Sequence, residues 1–182
     1  MIKTLAMVSA FALATSLSLA AQDVVHAVEG TVKKVDAGTK TLVVDGKDGT
    51  EHTFHYASDI TVDGAKDTKK GAVDAAHGVE EGSKVAVHYT VAGGKETAHE
   101  IDKIGDDGLK TTDGTVSHID RGAKTIAVKT ADGSEQTFHF TGRAAKDTGE
   151  DIGKGTEKSA KVTVYYTEKA GVKTAHFVKQ VF

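Results

Sequence analysis

The chain has 182 residues, a formal net charge of −3 and no cysteine, proline or tryptophan. The absence of cysteine excludes disulfides, thiolate nucleophiles and thiolate metal sites. The charges are mixed along the chain and weakly acidic overall, so no basic surface is expected and we predict no nucleic-acid partner.

The first 21 residues differ in character from the rest. Lys3 is their only charge, residues 5–13 are mainly apolar, and Ser18 and Ala20 place small side chains before a cleavage site. This pattern is typical of a secretory signal peptide over residues 1–21. Its apolar run is shorter than the roughly 20 residues that cross a bilayer. We therefore expect a periplasmic or secreted protein with no membrane span after signal cleavage.

The remaining chain contains one pattern twice. Residues 30–56, GTVKKVDAGTKTLVVDGKDGTEHTFHY, align without a gap to residues 114–140, GTVSHIDRGAKTIAVKTADGSEQTFHF. The match resumes between residues 84–90 and 161–167. Such self-similarity indicates two copies of one structural unit. The predicted divisions are repeat 1 at 22–104, a linker at 105–113 and repeat 2 at 114–182.

Each repeat reads as five short strands. Apolar and polar residues alternate with period two, which is typical of β-strands. Asp48-Gly49 and Asp132-Gly133 are typical of tight hairpin turns, in which glycine supplies a positive φ. The connection between the third and fourth strands is longer than the others and differs between copies. In repeat 1, residues 72–79 can form a short helix that ends at Gly78. In repeat 2 the connection at 151–155 is shorter and glycine-rich, so we expect one turn at most there.

Five strands with one long connection are typical of a small Greek-key barrel. We predict an all-β protein of two tandem five-stranded, antiparallel barrels of the OB or SH3-like type. The alternative is one continuous sandwich, which would need more apolar surface between the repeats than the polar linker and charged strand faces provide. Because each repeat holds its own apolar residues, we expect each to fold without the other.

The order of these strands and turns resembles small exported bacterial β-barrel domains of unknown function. The motifs that carry the resemblance lie at residues 30–44, 82–87, 98–101 and 114–128, and cover nearly all of both repeats. In repeat 2 the glycine before the fourth strand is replaced by Ser159-Ala160. What the resemblance implies is a barrel fold.

The same outline is similar to the periplasmic chaperone of copper and silver efflux systems. That family binds Cu(I) or Ag(I) through a histidine, two methionines and a tryptophan. This chain has no tryptophan, and its two methionines, Met1 and Met7, lie in the predicted signal peptide. The resemblance therefore does not extend to soft-metal binding.

Histidine is the candidate metal ligand. Of nine histidines, two recur in both repeats: His55 with His139, and His99 with His176. Alternation directs Phe54 into the core and His55 toward solvent. Imidazoles on neighbouring strands suit Zn²⁺, Cu²⁺ or Ni²⁺. The simpler interpretation is that all four are surface residues inherited with the repeat.

Two tyrosines are candidate binding residues. Tyr89 and Tyr166 recur at the end of the fourth strand and alternate with core valines. This position predicts a core ring with its hydroxyl near water. The functional alternative is a stacking platform for sugars or nucleobases.

No catalytic motif is present: the chain lacks G-x-S-x-G, H-E-x-x-H and a glycine-rich phosphate loop. Our leading hypothesis is an exported, non-enzymatic binding or envelope-accessory protein without a cofactor, whose partner is an envelope ligand or protein. One alternative is weak histidine-based binding of Zn²⁺ or Cu²⁺. The other is an enzyme with an unrecognised site.

Overall fold

A computed structural model describes residues 26–64, 78–145 and 159–181 of the chain. The predicted signal peptide, most of the short helix predicted at 72–79 and the glycine-rich connection at 151–155 lie outside these ranges. Within them, ten strands form two closed five-stranded barrels. The prediction of two tandem OB-like barrels is confirmed, and the continuous sandwich was wrong.

The two barrels have the same strand plan. The first contains β1 (His26–Asp36), β2 (Thr41–Gly46), β3 (Glu51–Asp63), β4 (Lys84–Ala92) and β5 (Lys95–Lys103). The second contains β6 (Lys110–Asp120), β7 (Thr125–Lys129), β8 (Glu135–Phe140), β9 (Lys161–Lys169) and β10 (Val172–Gln180).

Each barrel closes through one parallel ladder, which corrects the expectation of wholly antiparallel pairing. The first barrel has the order β1-β2-β3-β5-β4, in which β3 pairs with β5 in parallel. In the second barrel β8 pairs with β10 in parallel. The reason is geometric: strand directions cannot alternate all the way round a ring with an odd number of members. The long connection from the third to the fourth strand makes the parallel pair possible.

Alternation along the strands gives each barrel its own core, as the sequence pattern predicted. In the first barrel the completely buried side chains include Leu42, Val44, Phe54, Val85, Val87 and Ile101. In the second they include Ile126, Val128, Phe138, Val162 and Val164. Burial of these side chains is the main source of stability for each barrel.

The glycine that opens each repeated Gly-x-Val motif lies where two strands approach closely. A Cβ atom on Gly30 would lie 2.4 Å from Val44 Cγ1 and 2.5 Å from the Asp45 carbonyl oxygen. A Cβ atom on Gly114 would lie 2.5 Å from the Lys129 carbonyl oxygen. The recurrence of glycine is therefore explained by space, because any side chain would collide with the neighbouring backbone.

A third apolar cluster joins the two barrels. Ile104 and Leu109 pack with Phe177 of β10, and Tyr165 of β9 is partly buried against them. β6 begins at Lys110, so part of the predicted linker is strand. The barrels are therefore packed together, with more apolar contact between them than the sequence indicated.

We predict that Gly30→Ala and Gly114→Ala each lower the free energy of unfolding by about 1–3 kcal/mol, because each added methyl group overpacks a tight contact. Gly38→Ala is the matched control, since its Cβ would meet nothing nearer than an Asp36 carboxylate oxygen at 3.4 Å. Urea unfolding of the three variants measures the effect. Equal midpoints for Gly30→Ala and Gly38→Ala would contradict the steric explanation.

Candidate metal centre between the barrels

Three ionisable side chains are buried on the outer face of the β4–β5 hairpin. Val87 of β4 enters the core of the first barrel, so its neighbour His88 faces outward. His88 pairs with Glu100 across the hairpin, and Asp102 follows two residues later on β5. His88 and Asp102 are 0% exposed and Glu100 is 5% exposed. We call His88, Glu100 and Asp102 the inter-barrel cluster.

The ligand atoms of the inter-barrel cluster are close together. One histidine nitrogen and one oxygen from each carboxylate all lie within 4.8 Å of one another. In the described ranges this is the one group of three or more such residues with that spacing. Nitrogen and oxygen atoms so spaced can be drawn together around a divalent cation.

The second barrel contacts both carboxylates. His176 Nδ1 lies 2.8 Å from Asp102 Oδ2, and the backbone N–H of Arg143 donates to Glu100 Oε1 at 3.0 Å. His88 Nε2 lies 3.7 Å from the same Asp102 oxygen. The other oxygen, Asp102 Oδ1, is buried and has no hydrogen-bond partner among the described residues. This oxygen is therefore available to bind a cation.

Burial and neighbouring groups shift the pKa values of the two carboxylates in opposite directions. Burial, together with the charge of Asp102, raises the pKa of Glu100 to about 7. Burial also opposes ionisation of Asp102, but the hydrogen bond from His176 and the nearby His88 imidazole outweigh it and lower that pKa to about 2. The cluster therefore holds one firmly ionised carboxylate beside a second that retains a proton to near neutrality.

A β-bulge places His176 at this interface. The register between β9 and β10 skips His176, which therefore has no cross-strand partner. Bulges of this kind turn a side chain out of the regular alternation. The Nε2 atom of His176 lies 2.9 Å from Thr167 Oγ1. Because an ionised carboxylate only accepts, Nδ1 donates to Asp102, and the Thr167 hydroxyl engages the other ring nitrogen.

The first barrel carries the same bulge without the same role. His99 is skipped in the register of β4 with β5, and its Nε2 lies 2.9 Å from Thr90 Oγ1. His99 is half-buried and lies outside the inter-barrel cluster. The repeat therefore fixes the imidazole in both copies, and only the second copy presents it to a carboxylate.

The predicted histidines lie in different surroundings. His55 is half-buried on β3, where it pairs with Thr41, and His139 is exposed on β8. Of the four, the structure brings His176 to the inter-barrel cluster. Metal binding by His55, His99 and His139 stays a prediction.

The predicted tyrosines pack against the barrel cores. Tyr166 is buried, with its ring centroid 4.9 Å from that of Phe138. Tyr89 is half-buried, at the same distance from Phe54. Both positions agree with the alternation argument. A stacking role for either ring stays a prediction.

Sequence reasoning missed the inter-barrel cluster because it sought residues shared by both repeats. At the equivalent positions repeat 2 has Tyr165, Phe177 and Lys179. The two rings stack at 4.3 Å, and Lys179 Nζ lies 5.5 Å from each ring centroid. The available signal was three ionisable residues on one face of a hairpin whose other face is apolar.

A second polar group lies at one end of the first barrel. His52 is buried and stacks on Phe54, with ring centroids 5.4 Å apart. Its Nδ1 lies 2.8 Å from Glu96 Oε1 and its Nε2 lies 3.2 Å from Asp48 Oδ2. Burial opposes a charge on the ring, but the two carboxylates outweigh it and raise the pKa of His52. Both nitrogens are paired with carboxylates, which favours the protonated ring and leaves neither nitrogen to bind a metal.

Repeat 2 replaces this ion pair by a different bond. Gln136 stands where His52 does, and Lys173 stands in place of Glu96. Lys173 Nζ donates to Gln136 Oε1 at 2.6 Å. Both barrels thus satisfy the same position with a polar pair, which indicates a structural role.

Comparison with known proteins adds a likeness in fold. No family model and no curated protein matches the chain. Among solved structures it is similar to Ag(I)CusF, at 17% identity and a TM-score of 0.31 over 42% of this chain and 93% of that one. It is similar to apo-CusF residues 6–88 from Escherichia coli, at 18% and 0.33 over 47% and 93%. Likenesses of this strength carry no functional argument.

A further similar structure covers both barrels. The tetrameric p202 HIN2 structure matches at 10% identity and a TM-score of 0.30, over 89% of this chain and 98% of that one. The resemblance to the copper and silver chaperone seen in the sequence is found again in the two CusF structures.

No helix in the described part of the chain is long and apolar enough to cross a membrane.

We predict that His52 stabilises the protein more at low pH. Because its pKa is raised above the unfolded value of about 6.5, its contribution is fully present below that value and is lost as pH rises through the folded pKa. His52→Gln, which introduces the residue of repeat 2, should cost about 1–2 kcal/mol at pH 5.5 and less at pH 8.5. Urea unfolding at both pH values measures this.

The control for this prediction is His139→Gln, since His139 is exposed on β8. It should change the free energy of unfolding little at either pH. A His52→Gln cost that is equal at pH 5.5 and pH 8.5 would rule out the charged hydrogen bonds as its source.

Proposed function

We propose that this is an exported, non-enzymatic binding protein whose inter-barrel cluster binds a divalent first-row cation, with Zn²⁺ as the best fit. The observation that carries this proposal is the spacing of the three buried ligand atoms, all within 4.8 Å of one another. The buried Asp102 Oδ1, which has no hydrogen-bond partner in the described ranges, supports it independently.

The donor set selects the class of ion. One imidazole and two carboxylates are borderline and hard ligands, which suit Zn²⁺, Cu²⁺ or Ni²⁺ better than Cu(I) or Ag(I). Calcium usually takes six to eight oxygen ligands, more than this group provides. Magnesium keeps several waters, which a buried cluster does not readily accommodate. A small cation of low coordination number is therefore favoured.

Electrostatics favours the same conclusion. Two carboxylates shielded from water repel each other and are poorly solvated, which is why Glu100 holds its proton to about pH 7. A divalent cation would compensate both charges and replace that proton. Metal ligands must be deprotonated, so binding in this site would release a proton near neutral pH.

Burial supports binding rather than catalysis. His88, Asp102 and His176 are each at most 4% exposed beneath the paired barrels. A catalytic metal site needs an open coordination position and access for a substrate. The cluster has the closed character of a site that holds an ion. Export is supported by the signal-peptide pattern of residues 1–21.

We predict that residues 22–182 bind one Zn²⁺ and that Asp102→Asn lowers the affinity more than about 100-fold, because it removes the buried anionic ligand while keeping its shape. Glu100→Gln should also weaken binding. Competition with a chromophoric chelator measures the affinity, and thermal unfolding without metal confirms that the variants fold.

The control for the Zn²⁺ prediction is the double variant His55→Ala, His139→Ala, whose residues lie outside the cluster. It should bind Zn²⁺ like the parent. Loss of binding in this control, together with full binding by Asp102→Asn, would show that the ion binds at His55 and His139 instead of the inter-barrel cluster. Failure of the parent to bind Zn²⁺ would overturn the proposed function.

We also predict that residues 22–182 will not withhold Cu(I) from a competing chelator. A soft ion prefers thioether or thiolate ligands, and this part of the chain contains neither methionine nor cysteine. Anaerobic titration with the chelator present is the measurement. A stoichiometric Cu(I) complex that survives competition would contradict the argument from ligand softness.

A further inference from the structure

We propose that two groups of the second barrel, the His176 imidazole and the Arg143 backbone amide, are positioning groups for the cation held by the first barrel. This inference rests on the proposed function. The ion site is complete when the two barrels are docked, so the bound ion stabilises the contact between the two repeats.

Asp102 shows how the positioning works. His176 Nδ1 donates to Oδ2 at 2.8 Å, while Oδ1 of the same carboxylate has no hydrogen-bond partner among the described residues. A hydrogen bond to one oxygen fixes the plane of the carboxylate and leaves the second oxygen for the ion. Outer-shell hydrogen bonds of this kind orient metal ligands in proteins.

Glu100 is held in a comparable way from the same side. The Arg143 N–H donates to Oε1, and a Cβ atom on Gly142 would lie 3.5 Å from Oε2. The backbone at residues 142–143 of the second barrel therefore lies directly against this carboxylate. The second barrel therefore holds Asp102 by a hydrogen bond to one oxygen. It holds Glu100 by a hydrogen bond to one oxygen and by backbone contact beside the other.

The role of His176 is that of a positioning residue rather than of a fourth ligand. The group of ligand atoms within 4.8 Å of one another contains His88, Glu100 and Asp102 but not His176. In addition, Thr167 engages the far nitrogen of His176. The ring is thus fixed at both ends and can hold Asp102 in place without moving.

The repeat provides a natural contrast. His99 lies in the equivalent bulge and makes the equivalent contact with Thr90, at the same 2.9 Å. Removing His99 therefore removes a bulge histidine with the same local bonding, but one that lies outside the inter-barrel cluster. Any effect specific to His176 comes from its contact with Asp102.

Coupling between the barrels follows from thermodynamic linkage. If docking of the second barrel raises the affinity for the ion, the ion must favour docking by the same factor. The apolar contact between the barrels centres on Ile104, Leu109 and Phe177. An ion site beside it would therefore add measurably to the stability of the docked state.

The test compares Zn²⁺ affinities of residues 22–182 and of three variants by chelator competition. His176→Ala should weaken binding on the order of 10–100-fold. His176→Asn, whose side-chain amide can donate to Asp102 from near the Nδ1 position, should restore most of the affinity. His99→Ala should bind like the parent. Rescue by His176→Asn separates positioning from a merely space-filling role.

Two further measurements complete the test. The visible spectrum of bound Co²⁺ should change in His176→Ala at saturation, because a released Asp102 alters the ligand geometry. In the unmodified sequence, Zn²⁺ should slow hydrogen exchange of the Arg143 amide, which donates to Glu100. The exchange measurement needs no variant, so it holds even if His176→Ala does not fold.

The outcomes distinguish the two proposals. Binding that Asp102→Asn abolishes but His176→Ala leaves unchanged overturns the positioning role alone. Unchanged exchange at Arg143 on Zn²⁺ binding overturns the coupling between barrels. Absence of any Zn²⁺ binding by the parent overturns the proposed function and this inference with it.

Discussion

Burial of the ionised Asp102 between two barrels is the constraint on which the arrangement of this protein depends. A carboxylate removed from water loses several kcal/mol of solvation, and its partners return only part of this. His176 supplies a charge-assisted hydrogen bond from the opposite barrel. Such a pair adds little net attraction, so the attraction must come from apolar contacts such as Leu109 with Phe177. The polar pair instead specifies which docked arrangement satisfies the buried charge.

Duplication explains how such a site can arise on a small fold. The two copies keep the features that build a barrel: the glycine at a close strand approach, the hairpin turns and the bulge that carries His99 or His176. They differ on the outer face of the final hairpin, where one copy carries Glu100 and Asp102 and the other carries aromatic rings and a lysine. Function is therefore to be sought where the copies differ.

The sequence predicted what depends on local alternation. Phe54 and Tyr166 lie in the cores because alternation places them on the inward faces of their strands, together with Tyr56 and Val164 two residues away. The parallel ladder in each barrel was not predicted, although an odd number of strands requires it. Asp102 was missed for a different reason: alternation shows that it faces away from its own core, but not that a second barrel covers that face. His176 was selected because it recurs, and its importance comes instead from a partner that does not recur.

The inter-barrel cluster can balance its charge in two ways with the same side chains. Without a cation, the proton retained by Glu100 reduces the repulsion from Asp102. With a cation, both carboxylates can be ionised, since the ion is a stronger local charge than any imidazole. The hydrogen bonds from His176 and Arg143 fit both states, because each is donated to an oxygen that accepts whether or not the ion is bound. The second barrel thus supplies fixed donors, and the occupant that balances the remaining charge can change without rebuilding the interface.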